Sequence, residues 1–152
     1  MSELSWKEIL NAAVKSEEQS YALYTLAQKK VVSSSSKKLL AELAKDELRH
    51  REKLSAVLKG KEKLQDIGSD RIQDLKIVDP MEDITLSKDS DYQQILIYAA
   101  KREKSTYDYY NSMAAGLDGT KFAELFLKLA EEELRHKNRI EQEYDEYVLK
   151  ED

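Results

Sequence analysis

The chain has 152 residues, with 30 acidic and 25 basic side chains, a net charge of −5, four Gly, one Pro, two His and no Cys. The absence of Cys excludes disulfides, thiolate metal sites and iron–sulfur clusters, so Glu, Asp and His must hold any metal. The negative charge argues against nucleic acid or an anionic membrane as a partner, and no apolar stretch approaches the ~20 residues that span a bilayer. Because no signal peptide follows Met1, we expect a cytoplasmic protein.

Charged residues make up 36% of the chain, and the apolar residues recur with helical spacing, which predicts four long helices. The first spans about 5–32 and opens with a capping-box pattern between Ser5 and Glu8. It ends at the serine run 33–36, because serine favours caps and turns. The second helix spans about 37–59 and ends at Gly60. The third spans about 91–115, and the fourth about 120–149.

The segment 60–90, between the second and third helices, is far longer than the ~2–8 residues that usually join neighbouring bundle helices. A connection of that length can run along a whole helix. We therefore predict a single all-α domain, 1–152, in which two antiparallel helical hairpins joined by one long crossover form a four-helix bundle.

The two halves of the sequence repeat each other. A shift of 86 residues places the second predicted hairpin on the first without a gap. The shift matches Glu17 with Glu103 and Tyr24 with Tyr110, and it matches the run from Glu47 to His50, Glu-Leu-Arg-His, with an identical run at 133–136. The bundle is thus predicted to be two copies of one hairpin.

Each helix carries one carboxylate on its apolar stripe, and two helices add a histidine three residues later. The six residues are Glu17, Glu47, His50, Glu103, Glu133 and His136. Four buried carboxylates cannot remain ionised without counter-charge, and the stripes carry no Lys or Arg at these levels. Two divalent ions supply the required four positive charges, which predicts a two-metal site.

Further polar residues are placed to support these side chains. Asp46 and Glu132 lie four residues before His50 and His136 and are predicted to accept the free ring N–H of the histidine on their own helix. Tyr24 and Tyr110 are predicted to hydrogen-bond metal-binding carboxylates of the opposite hairpin.

This set of motifs resembles the ferritin-like di-iron carboxylate superfamily, and the two short equal halves resemble its rubrerythrin branch. The resemblance covers all four helices and implies a ferritin-like bundle in which the six Glu and His residues bind two iron ions directly. Rubrerythrins proper have a further Glu ligand on the third helix, three residues from the matched one, where this chain has Ala100 and Thr106. They also carry a C-terminal rubredoxin domain with a four-Cys iron site, for which this chain has no Cys.

The leading functional hypothesis is an oxidoreductase that reduces peroxide or O₂ at the di-iron site with electrons from an external electron-transfer protein. Manganese or a mixed metal pair is also compatible with the ligands. Two alternatives remain open: an iron-binding, ferroxidase or storage protein, and a non-catalytic bundle stabilised by metal.

Two expectations concern packing. Tyr21 and Tyr107 are predicted to pack in the core with satisfied hydroxyls. Four large side chains that lie off the metal stripes favour a homodimer or higher homo-oligomer: Leu23, Leu26, Tyr109 and Leu127.

Overall fold

The structure is a computed structural model that describes residues 6–60 and 90–151. Its regular elements are four helices, α1 (Trp6–Gln28), α2 (Ser34–Lys59), α3 (Tyr92–Gly116) and α4 (Lys121–Glu151). Within the described ranges, no helix is long and apolar enough to cross a membrane. The predicted cap residue Ser5 and positions 61–89 of the predicted crossover lie outside the described residues.

The predicted boundaries of the first hairpin need correction at its loop. Helix α1 ends at Gln28, four residues before the predicted end, and the amides of the next two lysines bond to carbonyls three residues back. Helix α2 begins at Ser34, three residues before the predicted start. Only Ser33 serves as the cap, because its side chain accepts from the amide of Ser36 at 3.4 Å. The remaining serines form the first helical turn.

The second hairpin agrees more closely with prediction. Helix α3 begins one residue after Asp91, which forms a capping box with Gln94: the Asp91 carboxylate accepts from the Gln94 amide at 2.8 Å, and the Gln94 side chain accepts in return at 2.9 Å. The turn into α4 contains Gly119 at φ 86°, a backbone conformation that favours glycine.

The helices form the hairpins α1–α2 and α3–α4, which meet mainly along α1 and α3. Their apolar side chains form two clusters at opposite ends of the bundle, one containing Leu54 and Phe126 and the other containing Tyr92 and Ile140. Helix α2 therefore ends at one end of the bundle, and α3 begins at the other. The segment 60–90 must join opposite ends, which confirms the predicted four-helix bundle with one crossover.

A polar layer separates the two apolar clusters. Every member is less than 9% exposed: Ser16, Glu17, Ser20, Glu47, His50, Arg102, Glu103, Thr106, Glu133 and His136. Burying so many polar and ionisable groups is costly unless they are paired or bind a ligand. The layer is therefore where the fold departs from an ordinary apolar core.

The structure corrects part of each of the two packing expectations. Tyr21 is 37% exposed, because the buried face of α1 turns towards α3 and includes Ser20 in place of Tyr21. Tyr107 does pack against the apolar cluster that contains Leu54, but it is only half-buried. Leu23 and Tyr109 are buried within the chain and so are not available to a second subunit, whereas Leu127 is 53% exposed.

Candidate metal centre

The six predicted metal-binding residues meet at the centre of the polar layer. Each helix contributes one glutamate, and α2 and α4 each add a histidine one turn later. Residues three apart share a helix face, so each Glu-x-x-His pair points the same way into the bundle. All six side chains are at most 3% exposed.

The ligand atoms form two overlapping groups. In each group the ligand atoms lie within 4.8 Å of one another. One group comprises Glu17, Glu47, His50 and Glu133. The other comprises Glu47, Glu103, Glu133 and His136. Glu47 and Glu133 belong to both groups, as carboxylates that bridge two ions must.

The histidines face the carboxylates through Nδ1. His50 Nδ1 lies 2.8 Å from Glu133 Oε1 and 3.5 Å from Glu17 Oε2. His136 Nδ1 lies 3.1 Å from Glu47 Oε1, although the two are not aligned as a hydrogen bond. The two imidazole rings stack with their centroids 5.9 Å apart. Each histidine therefore presents a nitrogen to a different group.

The buried atoms without hydrogen-bond partners test whether these residues fit a metal pair. Six such side-chain atoms occur in the described part of the chain, and only Trp6 Nε1 lies outside the Glu/His set. The other five are Glu17 Oε2, Glu47 Oε1, Glu103 Oε2, Glu133 Oε2 and His136 Nδ1. Buried polar atoms are rarely left without partners in a stable core. Because these five are all metal-ligand atoms converging on one place, the donor set fits two metal ions.

Burial opposes ionisation of the central carboxylates. Desolvation raises the pKa of Glu47 well above its usual range, and the charges of Glu17 and Glu103 add to the effect. The pKa of Glu133 is raised in the same way by burial and by the neighbouring charges. Burial would also raise the pKa of Glu103, but the neighbouring side chains of Glu133 and His136 and the hydrogen bond from Tyr24 outweigh burial and lower it. Without metal, the surroundings therefore favour the protonated form of Glu47 and Glu133.

The surroundings favour the charged form of the histidines, whereas they favour the neutral form of Glu47 and Glu133. Burial alone would lower the pKa of His50, but the hydrogen bond to Glu132, the nearby Glu17 carboxylate and the surrounding negative charge raise it to about 10. For His136, the hydrogen bond to Asp46 and the nearby carboxylates of Glu103 and Glu47 likewise overcome burial and raise the pKa to about 12. The metal-free centre thus holds protons where a metal pair would supply positive charge.

Two tyrosines link the hairpins through this centre. The Tyr24 hydroxyl on α1 donates to Glu103 on α3, and the Tyr110 hydroxyl on α3 donates to Glu17 on α1. Both contacts agree with the predicted bonds to the opposite hairpin. Burial and the nearby carboxylates raise the pKa of both tyrosines, so each hydroxyl remains a donor.

Asp46 and Glu132 contact histidines, but not the predicted ones. His50 Nε2 lies 3.0 Å from Glu132 Oε2, and His136 Nε2 lies 3.0 Å from Asp46 Oδ2. Each histidine turns Nδ1 towards the centre, so Nε2 points across to the facing helix and not along its own. Arg49, at the surface, donates to both Asp46 and Glu132. Hydrogen bonds to His50 and Arg49 lower the pKa of Glu132 to about 2.

The polar layer also holds residues that the sequence reasoning missed. Arg102 is buried on α3 and donates to Ser16 and Ser20 on α1. The sequence contained one signal of this buried charge. The 86-residue shift relates Ser16 to Arg102, next to the matched Glu17 and Glu103, and the two residues differ in charge. Thr106, three residues after Glu103, donates to the Arg102 carbonyl.

The family model described as rubrerythrin matches residues 8–85 and 94–152. No curated protein and no solved structure gave a significant match.

Proposed function

The chain belongs to the rubrerythrin family, and on that premise we propose that it is a di-iron carboxylate protein that reduces peroxide or O₂. The observation that carries the proposal is the pair of overlapping Glu/His groups that share Glu47 and Glu133. Five buried ligand atoms without hydrogen-bond partners, all directed to one place, support it.

In this proposal the first group, Glu17, Glu47, His50 and Glu133, would hold one ion. The second group, Glu47, Glu103, Glu133 and His136, would hold the other. Iron is favoured over structural zinc, because structural zinc sites are usually closed tetrahedra rich in Cys and His, whereas this set is rich in carboxylates. Manganese or a mixed pair also suits such ligands.

Protein residues outside the ligand set hold the ligands in position. The hydroxyls of Tyr24 and Tyr110 donate to Glu103 and Glu17, which leaves each carboxylate one oxygen for a metal ion. Asp46 and Glu132 accept from the outer nitrogen of each histidine, so the proton that a metal ion would displace is the one on Nδ1.

When bound, an iron pair supplies two electrons, one from each ion, which is the number that cleavage of one O–O bond requires. Two protons must enter with them to yield water from peroxide. Because the sequence contains no Cys and hence no thiolate redox centre, this proposal takes the replacement electrons from an external electron-transfer protein.

An anaerobic Fe(II) titration tests the proposal. We expect about two ions per chain, and an absorbance band when peroxide or O₂ is added. Glu133→Gln should bind fewer ions because it removes a shared carboxylate. Glu131→Gln removes an exposed carboxylate two residues away and should leave the stoichiometry unchanged.

Three results would contradict the proposal in different ways. No uptake of iron would exclude the metal centre itself. Uptake of two ions with no response to either oxidant would favour a metal that only stabilises the bundle. A large closed assembly in light scattering, with iron taken up far beyond two ions per chain, would favour storage.

A further inference from the structure

Arg49 bonds to both of the carboxylates that contact the outer nitrogens of the histidines. Its Nη2 lies 2.5 Å from Glu132 Oε1 and 3.2 Å from Asp46 Oδ1, so a single nitrogen contacts both side chains. A terminal guanidinium nitrogen carries two hydrogens, one for each carboxylate. Asp46 lies on α2 and Glu132 on α4. The arginine therefore joins the two helices that carry the histidines.

The two carboxylates divide their oxygens in the same way. Glu132 turns Oε1 to Arg49 and Oε2 to His50 Nε2. Asp46 turns Oδ1 to Arg49 and Oδ2 to His136 Nε2. Each carboxylate is thus held between the arginine and one histidine, and rotation of the carboxylate would disturb both bonds together. The orientation of both imidazole rings is linked in this way to one side chain.

The charges make this link necessary. The hydrogen bonds of Asp46 with His136 and Arg49 lower its pKa. Those of Glu132 with His50 and Arg49 do the same. Two ionised carboxylates that share one nitrogen lie close together, and their like charges repel. The positive charge of Arg49 offsets that repulsion, so without it the carboxylates should move apart and loosen their hold on the rings.

The internal repeat gives Arg49 a counterpart, Arg135. The 86-residue shift matches these two arginines, and it also matches Asp46 with Glu132. Among the described residues, both carboxylates pair with Arg49 and neither pairs with Arg135, which is exposed. The chain therefore contains a matched control: a second arginine at the equivalent position of the other hairpin, without the contact.

We propose that Arg49 is a positioning residue that fixes the orientation of both histidines through the two carboxylates it joins. The proposal deepens the proposed function and rests on it, because the histidines need this orientation in order to bind metal. An ordinary surface ion pair would contribute little and leave the centre unchanged. The Arg49 side chain is 43% exposed, whereas both histidines are at most 3% exposed. A residue in contact with solvent thus controls groups in the core.

Exchange of the histidine ring protons with water tests this role without metal. Each Nε2 proton bonds to a carboxylate, and hydrogen-bonded protons in a folded core exchange slowly. Arg49→Gln removes the charge at an exposed position, so the bundle should remain folded, which circular dichroism checks. We expect NMR to show exchange several-fold faster at both His50 and His136. Arg135→Gln should leave both rates unchanged.

Co(II) binding measures the consequence for the metal centre. Loss of a direct partner of a metal-bound histidine typically weakens metal binding ~10–100-fold. Arg49 acts one contact further away, so we expect Arg49→Gln to weaken cobalt binding by about threefold to tenfold and to alter the cobalt absorption spectrum. Arg135→Gln should bind as wild type does. Arg49→Lys should restore slow exchange and most of the affinity, because one ammonium nitrogen can donate to both carboxylates.

The two proposals fail in different ways. If the wild-type chain binds no cobalt, the proposed function fails, while ring-proton exchange still reports whether Arg49 orients the histidines. Unchanged exchange at either ring in Arg49→Gln would overturn the positioning role whatever the metal does. Faster exchange with wild-type cobalt affinity and spectrum would overturn the role of Arg49 in the metal centre, as would equal effects of Arg49→Gln and Arg135→Gln.

Discussion

Glu47 illustrates how single residues in the polar layer act differently with and without metal. Its carboxylate belongs to both ligand groups, yet burial and the charges of Glu17 and Glu103 raise its pKa. The ionised form that a metal ion requires is therefore the form that the metal-free core resists. Residues of this kind make the metal-free bundle less stable than an apolar core would, because they are suited to binding metal.

Glu47→Gln should therefore preserve or raise the stability of the metal-free protein and weaken its binding of metal. The amide is neutral and close in shape, so the metal-free variant should unfold at the same temperature as wild type or a few degrees higher. Metal binding should weaken by about tenfold or more, because a bridging ligand is lost. Thermal denaturation with and without metal measures both effects.

Glu52→Gln provides the matched control, since Glu52 lies exposed on the same helix. It should change neither quantity. A Glu47→Gln variant that is several degrees less stable without metal would contradict the protonated state inferred here for Glu47.

At the scale of helices, the contacts between α2 and α4 are polar and reciprocal. His50 on α2 bonds to Glu132 on α4, and His136 on α4 bonds to Asp46 on α2. Each hairpin therefore orients the histidine of the other. Helices α1 and α3 are joined in the same reciprocal way by Tyr24 and Tyr110. The centre is complete only when both hairpins are docked.

Asp46→Asn should consequently change the pKa of His136, on the facing helix, rather than that of His50, on its own helix. In the metal-free protein we expect the pKa of His136 to fall from about 12, because it loses its hydrogen-bonded carboxylate, while that of His50 changes little. Ring ¹⁵N chemical shifts followed against pH report each histidine separately. A larger pKa change at His50 than at His136 would contradict this pairing. It would favour the predicted one, in which Asp46 bonds to the histidine of its own helix.

For the whole molecule, ionisation of the centre links folding to pH. The pKa of His50 is raised from its ordinary 6.5 to about 10, so its contribution to stability is complete below pH 6.5 and is lost as pH rises through 10. The pKa of Glu132 is lowered from 4.5 to about 2, so its contribution is present above pH 4.5 and is lost as pH falls towards 2.

Because the pKa values of Glu47 and Glu133 are also raised, the metal-free protein should be most stable near pH 4.5, and its melting temperature should fall steadily as pH rises towards 10. Each histidine contributes up to ~1.4 kcal/mol per pH unit to that fall. Metal ions replace these protons, so the stabilisation by metal should grow with pH. Melting curves across this range measure it, and a metal-free protein that becomes more stable from pH 6.5 to 9 would contradict the assignment.

Much of the fold could be predicted from the sequence, because helical periodicity and the 86-residue repeat are properties of the chain alone. They placed four helices, the crossover, and the level at which Glu17, Glu47, Glu103 and Glu133 face inward. The boundary errors at Ser34 and Gln28 arose because any of several adjacent serines could have capped α2.

The sequence by itself determined that four carboxylates and two histidines would meet in one buried layer, since spacing along each helix decides which face a residue occupies. Only the tertiary structure decided which atoms meet across that layer. The rotation of each helix about its own axis left Tyr21 exposed, paired His50 with Glu132, and brought Arg102 against Ser16. Those outcomes depend on how four helices pack together, and the periodicity of any one helix carries no information about its neighbours.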